Sequence, residues 1–97
     1  MASNIYKMST RDEIRYITKN GELLENPSGQ LFDWGWYGFE TEATAYFILH
    51  AEYGYHTASQ YFHRFAREYL AEMDCNDFTW TSGAIGFMLS KIENSVS

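Results

Sequence analysis

The stretch from Gln30 to Gly54 reads QLFDWGWYGFETEATAYFILHAEYG, and it decides the fold because a dense aromatic run leads directly into a helix-forming run. Burying one large apolar side chain is worth about 1.5–3 kcal/mol, so we expect the aromatic run to lie inside the domain. Gly35 and Gly38 lack a Cβ, which suits a sharp bend between a strand and a helix. Thr41 is the candidate cap of that helix, and Gly54 is its natural end.

The stretch IRYITKNGELL, upstream of the aromatic run, predicts a β-hairpin. Its central Asn20-Gly21 pair is the strongest short hairpin signal, because a type I′ turn requires positive φ at both central residues. The alternative is a helix that starts at Ser9 or Thr10, since Thr10 followed by Glu13 fits a capping box.

The remaining elements follow from turn signals and helical periodicity. We predict a third strand from about Gln30 to Trp36, a first helix from about Glu42 to Tyr53, and a short extended segment over Phe78–Thr81. The second helix has the best periodic pattern, with apolar residues at Ala58, Tyr61, Phe62, Phe65, Ala66, Tyr69, Leu70 and Met73. The last helix begins near Ser82 and is predicted to bury Ile85, Met88, Leu89 and Ile92.

These elements predict one α+β domain over residues 1–97, in which a small antiparallel sheet of about three strands packs against about three helices. The length suffices for one modest hydrophobic core. Residues 1–9 and 95–97 are expected to be less ordered, as chain ends commonly are.

Composition limits the partners and the compartment. Seven Lys and Arg against thirteen Asp and Glu give a formal net charge of −6, which disfavours direct binding to a nucleic acid backbone and favours a basic protein partner. The single cysteine cannot form an internal disulfide, which indicates a reducing compartment. The first residues lack the apolar stretch of a signal peptide, and no run approaches a membrane span. We therefore expect a soluble intracellular protein, for which the cytoplasm is the simplest compartment.

The distribution of charge is more informative than its total. No Lys or Arg occurs between Lys19 and Arg64. The acidic residues of this interval are the candidate partner-binding residues: Glu22, Glu25, Asp33, Glu40, Glu42 and Glu52. One interpretation is a solvated face that keeps the protein soluble, which is the commoner case for an acidic domain. The other is a carboxylate array that occupies a nucleic-acid cleft of another protein in place of phosphates.

Catalytic and metal-binding motifs are weak. His50, His56 and His63 lack the spacing of three or four residues that two ligands on one helix require, so no metal or cofactor is predicted. The thiol of Cys75 lies between acidic residues, which blunts a nucleophile. The sequence favours a protein without enzymatic activity; a small enzyme that uses paired carboxylates is the third hypothesis, and a deep pocket lined by a histidine and a carboxylate would support it.

The segments FDWGWYGFETEATAYFILHAEYG, REYLAEM and DFTWTSGAIGFML resemble a family of small phage and plasmid domains of largely uncharacterised function. The pattern of that family is F-x-W-G-Y followed by glycines, an alanine- and leucine-rich helix, a second helix, and a D-F-x-x-T segment before the last helix. The matching positions are Phe32, Trp34, Gly35, Phe78 and Thr81. The chain departs from the family at Trp36, where a tyrosine is usual, and from Glu40 to Glu42, where small residues or proline are usual. This resemblance implies a fold and identifies no catalytic residue.

In size and charge the chain is also similar to anti-CRISPR proteins directed at the type I-F surveillance complex. That resemblance implies an inhibitor that acts as an acidic DNA mimic on the Cas subunits where target DNA enters. The alternative function is a non-enzymatic phage or plasmid accessory module that binds another host protein through exposed aromatic residues. Salt separates the two, because an aromatic interface is nearly indifferent to ionic strength.

Overall fold

The computed structural model describes residues 3–25 and 31–94, which form an α+β domain with four strands and three α-helices. The predicted fold class is confirmed, and the sheet has one strand more than expected. The strands are β1 (Ile5–Arg11), β2 (Ile14–Lys19), β3 (Glu22–Leu23) and β4 (Phe78–Thr81). The helices are α1 (Phe39–Tyr53), α2 (Tyr55–Phe65), which continues as a π-helical turn over Ala66–Leu70, and α3 (Ser82–Asn94).

The sheet has the order β3-β2-β1-β4, and all neighbouring strands are antiparallel. Its pairing register places Met8 opposite Ile17 and Tyr6 opposite Trp80. These four side chains are buried on the face that packs against the helices. The opposite face carries alternate residues such as Lys7, as expected for an antiparallel sheet that is covered on one side only.

The predicted hairpin is confirmed. Asn20 and Gly21 have φ of 54° and 87° and join β2 to β3. The alternative helix start is wrong, because Ser9 and Thr10 lie in β1 and pair with Tyr16 and Arg15 of β2.

Strand β1 was not predicted from the sequence. Residues 1–9 were expected to be less ordered, whereas Ile5–Ser9 belong to β1, a central strand that pairs with both β2 and β4. Only two side chains of its sequence IYKMSTR are buried, those of the alternate residues Tyr6 and Met8. A strand with two buried residues among polar ones is a weak local signal, and it depends on partners distant in sequence.

The predicted third strand from Gln30 to Trp36 is wrong for its described part, residues 31–36, which form no strand; Gln30 lies outside the described residues. The backbone amides of this segment bond elsewhere. The amide of Asp33 donates to Thr44 Oγ1 at 2.8 Å, and that of Gly35 donates to the carbonyl of Leu70 at 2.9 Å. The segment is therefore a fixed loop attached to α1 and to the end of the π-helical turn.

Helix α1 begins three residues earlier than predicted. Phe39 is its first residue, Gly38 holds the capping position, and no side chain caps it. The hydroxyl of Thr41, the expected cap, instead donates to the carbonyl of Trp36 at 2.7 Å. The end at Gly54 is confirmed: its φ is 93°, and its amide donates to the carbonyl of His50.

The other helical predictions agree with the structure over most of their length. The periodic second helix buries Ala58, Phe65, Ala66 and Leu70, although its last turn widens, with the amide of Ala71 donating to the carbonyl of Ala66. The short extended segment is β4. Helix α3 begins at the predicted Ser82, and its four buried residues are the predicted Ile85, Met88, Leu89 and Ile92.

Candidate protein-binding surface

The six acidic candidates fall into two groups. Asp33 and Glu52 hold elements of the fold together, and the other four make no ion pair with a Lys or Arg of the described residues. Asp33 belongs to the first group. Its Oδ1 accepts hydrogen bonds from Arg15 Nε at 2.9 Å and from the amide of Trp34 at 2.8 Å. Its Oδ2 accepts from Trp36 Nε1 at 2.5 Å. Because Arg15 compensates its charge, Asp33 acts mainly as the anchor of the loop before α1.

Glu52 also serves the scaffold. Its Oε1 accepts from Asn4 Nδ2 at 2.9 Å and from the hydroxyl of Tyr6 at 2.8 Å, so it ties the end of α1 to β1. Burial by itself raises the pKa of Glu52, but the hydrogen bonds from Asn4, Tyr6 and Ser82 and the charge of Lys19 outweigh it and hold that pKa below its ordinary value. Burial and the same hydrogen bond raise the pKa of Tyr6.

Acid is therefore expected to weaken the fold through Glu52. A carboxylate with a lowered pKa in the folded state contributes stability above its unfolded pKa, and that stability is lost as pH falls through the folded pKa. We expect the free energy of unfolding to drop as pH is lowered below the ordinary value of 4.5. Urea denaturation at a series of pH values checks this, and Glu52→Gln should flatten the dependence.

A matched control for this experiment is Glu72→Gln. Glu72 is exposed and makes no side-chain hydrogen bond to any residue that the structure describes. Its substitution should leave the slope of stability against pH close to that of the parent. An equal flattening by both substitutions would show that Glu52 has no special share in acid sensitivity.

Glu42 lies on the first turn of α1 and bridges to α2. Its Oε2 accepts from the hydroxyl of Tyr37 at 2.6 Å and is 2.6 Å from His63 Nδ1. The hydrogen bond from Tyr37 is the main reason that the pKa of Glu42 lies below its ordinary value. Its other oxygen, Oε1, accepts no hydrogen bond within residues 3–25 and 31–94.

The remaining candidates are Glu22, Glu25 and Glu40. Glu22 and Glu25 are exposed at and after β3, and Glu40 is half-buried on α1. None of the three side chains bonds to another part of the described chain. Glu40 and Glu42 are two positions apart on one helix, so they point to different sides. The six carboxylates are therefore distributed over several places and do not form one continuous row.

A second feature of this region was not anticipated from sequence, namely three exposed aromatic residues before and at the start of α1. We call Trp36, Tyr37 and Phe39 the aromatic turn. Their exposed fractions are 46%, 47% and 69%, so the prediction that the whole aromatic run lies inside the domain is wrong. Only Phe32 and Trp34 of that run are buried. The sequence signal for this exposure was the pair of glycines. The chain bends at Gly35 and Gly38, so the rings on either side of the bend cannot all point into the core.

Local contacts hold Trp36 and Tyr37 of the aromatic turn in place. The Trp36 ring lies over Gly38, where a Cβ would overlap it. The indole of Trp36 bonds to Asp33 and the hydroxyl of Tyr37 to Glu42, as given above. Exposed aromatic rings in a fixed geometry are typical of protein interfaces, because little conformational entropy is lost when they bind.

Other kinds of site find little support in the described part of the chain. No group of three or more His, Cys, Asp or Glu residues there is arranged to hold a metal ion. Depressions along the sheet include Glu25 in one case and Asp77 in another, but neither is lined by a histidine. His50 is exposed. Among the described helices, none has both the length and the apolar content of a membrane span.

Comparisons of the chain with protein-family models, with curated proteins and with solved structures find no match. The inference about function therefore depends on the charges and on the exposed residues of this molecule.

Proposed function

We propose that this protein is a non-enzymatic inhibitor that binds the basic nucleic-acid-binding surface of a type I CRISPR surveillance complex. It does so in the cytoplasm of a bacterial host. It acts there as an acidic mimic of DNA and competes with the target duplex. The supporting observation is the position of its charge: among the described residues, only Asp33 of the six candidate carboxylates makes an ion pair with a Lys or Arg. The side chains of Glu22, Glu25, Glu40 and Glu42, the last of which pairs with His63, are also not bonded to the sheet.

Two of the six candidate carboxylates are left out of the proposed partner contacts, because the fold already uses them. Asp33 is compensated by Arg15, and Glu52 is occupied by Asn4 and Tyr6. Both are therefore assigned to the scaffold in this proposal. A carboxylate without a cation partner keeps its charge available to an incoming Lys or Arg, and such charges accelerate encounter with a basic surface.

The test is competition with target DNA on a purified type I-F surveillance complex, measured by fluorescence anisotropy of a labelled duplex. The double variant Glu40→Lys/Glu42→Lys should associate more slowly and inhibit at least about tenfold less well at low salt, because close charge pairs across an interface contribute a few kcal/mol. The difference should shrink as salt is raised, since screening weakens exposed pairs.

The matched control is Glu72→Lys/Asp74→Lys, which changes the net charge by the same amount at exposed positions outside the proposed contacts. It should inhibit nearly as well as the parent. Circular dichroism confirms that each variant is folded. Equal inhibition by the parent and by Glu40→Lys/Glu42→Lys would refute the mimic, and equal loss in both double variants would reduce the effect to net charge alone.

The second candidate function is an accessory module of a phage or plasmid that binds another host protein through its aromatic residues. The exposure of Trp36, Tyr37 and Phe39 favours it. Binding through these rings alone should change little with salt, so the ionic-strength series in the same assay separates the two candidates.

A further inference from the structure

Two side-chain amides connect the turn between β2 and β3 to the end of α1. The backbone amide of Ile5 donates to Asn20 Oδ1 at 2.8 Å, and Asn20 Nδ2 donates to Asn4 Oδ1 at 2.9 Å. Asn4 Nδ2 in turn donates to Glu52 Oε1 at 2.9 Å. We call Asn20, Asn4 and Glu52 the amide network, because each of these side chains bonds to the next.

The two ends of the amide network fix the direction of every hydrogen bond in it. The backbone N–H of Ile5 can only donate, so it requires the oxygen of Asn20 and leaves the NH2 group of Asn20 to face Asn4. The carboxylate of Glu52 can only accept, so it requires the NH2 group of Asn4. Neither amide can turn over without placing two donors or two acceptors against each other.

The first member of the amide network is also a reactive residue, because glycine follows it. The backbone nitrogen of Gly21 has no neighbouring side chain to hinder its attack on Cγ of Asn20, and nothing lies within 4 Å of a Cβ position at Gly21. In that attack the Cγ–Nδ2 bond breaks, ammonia leaves with the proton of the attacking amide, and a cyclic succinimide forms. Water then adds across one C–N bond of the ring and gives aspartate or isoaspartate.

We propose that Asn20 is a site of spontaneous deamidation, which the amide network restrains in the folded protein, and that the modified residue breaks this network. Both ends of the Asn20 amide are held, so its Cγ cannot rotate towards the nitrogen of Gly21 until the turn opens locally. Water is the only co-reactant. This inference is independent of the proposed function.

An aspartate at position 20 is compatible with the turn but not with the amide network. Aspartate tolerates the φ of 54° at this position and, when followed by glycine, forms the same type of turn. One of its oxygens can still accept from Ile5, but the other would face Asn4 Oδ1. If Asn4 turns over to donate to it, the oxygen of Asn4 faces the carboxylate of Glu52. One hydrogen bond is therefore lost in either orientation.

The modification is tested by peptide mapping with mass spectrometry after incubation at mildly alkaline pH. The peptide that contains Asn20 should gain the mass of deamidation more slowly in the folded protein than in the urea-unfolded chain. Asn4→Ala removes the acceptor of Asn20 Nδ2 and should accelerate the gain in the folded protein about 2- to 10-fold.

Trp36→Ala is the control for general destabilisation, because it removes a half-exposed ring from another part of the fold. It should leave the rate of deamidation at Asn20 as in the parent. Equal rates in the folded and unfolded chains, or equal acceleration by Asn4→Ala and Trp36→Ala, would overturn the restraint by the amide network.

A double-mutant cycle in urea denaturation tests the effect of the modified residue. Asn20→Asp alone should raise the equilibrium constant of unfolding about 2- to 100-fold, the range from losing a neutral hydrogen bond to losing one with a charged group. In Asn20→Asp/Glu52→Gln, the new glutamine amide can donate to Asn4 Oδ1, and Asn4 Nδ2 can donate to the new carboxylate. Both bonds of Asn4 then form in the reversed direction. The double variant should therefore be about 2- to 10-fold better folded than the two single losses predict.

The matched control is Gln60→Glu, which makes the same change from carboxamide to carboxylate on α2. Gln60 is exposed, and its side chain makes no hydrogen bond to any residue that the structure describes. This variant should unfold nearly as the parent does. Strict additivity of the losses in Asn20→Asp and Glu52→Gln would contradict the amide network, as would an Asn20→Asp variant as stable as the parent.

Discussion

Trp34→Ala is expected to lower the free energy of unfolding by about 3–5 kcal/mol, because truncating a buried aromatic side chain leaves a cavity. Trp34 is fully buried. Its ring packs edge-on against Phe78 with centroids 5.1 Å apart, and the guanidinium of Arg15 lies 4.2 Å from its centroid. Its Nε1 donates to the carbonyl of Cys75 at 2.9 Å. We call residues 31–36 the aromatic loop. The substitution therefore removes the contacts of this loop with the segment before β4.

Urea denaturation measures this loss, and Trp36→Ala provides the comparison within the same loop. Trp36 is about half exposed and leaves no comparable cavity, so its truncation should cost about 1 kcal/mol. Equal losses at the two tryptophans would contradict the assignment of Trp34 as the buried anchor of the loop.

Gly35→Ala is expected to have the second largest effect on stability. Gly35 has φ of 89°, where a residue with a Cβ is strained by about 1–3 kcal/mol. The added Cβ would also lie 2.9 Å from the carbonyl oxygen of Met73, a backbone atom that cannot move away easily. The change should therefore cost at least that strain and loosen the contact between the loop and the end of the π-helical turn.

The comparison for Gly35→Ala is Gly83→Ala on α3, measured by the same denaturation. At Gly83 the nearest atom to an added Cβ is Thr81 Oγ1 at 3.7 Å, an ordinary contact. Alanine favours a helix interior over glycine by about 0.5–1 kcal/mol, and Gly83 lies in the first turn of α3, so this variant should be more stable than the parent by no more than that amount. The same substitution is thus expected to change stability in opposite directions, and a stabilised Gly35→Ala would contradict the structure of the loop.

Local signals were sufficient for the elements that depend on neighbouring residues. Asn20 and Gly21 specify their turn through backbone angles alone, and α3 places its apolar residues at helical spacing. In both cases the information is contained within a few residues. The hairpin, β4 and α3 could therefore be predicted closely.

Contacts between distant residues decided the rest. Strand β1 exists because β2 and β4 flank it, and its own sequence contains only two buried side chains. The aromatic loop has the composition of a strand, but its amides bond to Thr44 and Leu70, which are distant in sequence. A propensity for extended structure does not say which partner a backbone amide will find.

The candidate surface shows the same limit. A run of acidic residues indicates charge, but not which carboxylates the fold will occupy. Asp33 and Glu52 became scaffold because Arg15 and Tyr6 reach them from the sheet and Asn4 reaches Glu52 from just before β1. The exposure of Phe39 could not be predicted either, because apolar residues are more often buried than exposed.

The place of β1 at the centre of the sheet has a consequence for biosynthesis. Its partner β4 is distant along the chain, since Tyr6 of β1 pairs with Trp80 of β4. During synthesis, β1 is translated well before β4. Until β4 is available, the backbone groups of β1 that pair with it form no hydrogen bonds to that strand. Closing so large a loop is slow, and folding should therefore finish only after β4 has left the exit tunnel.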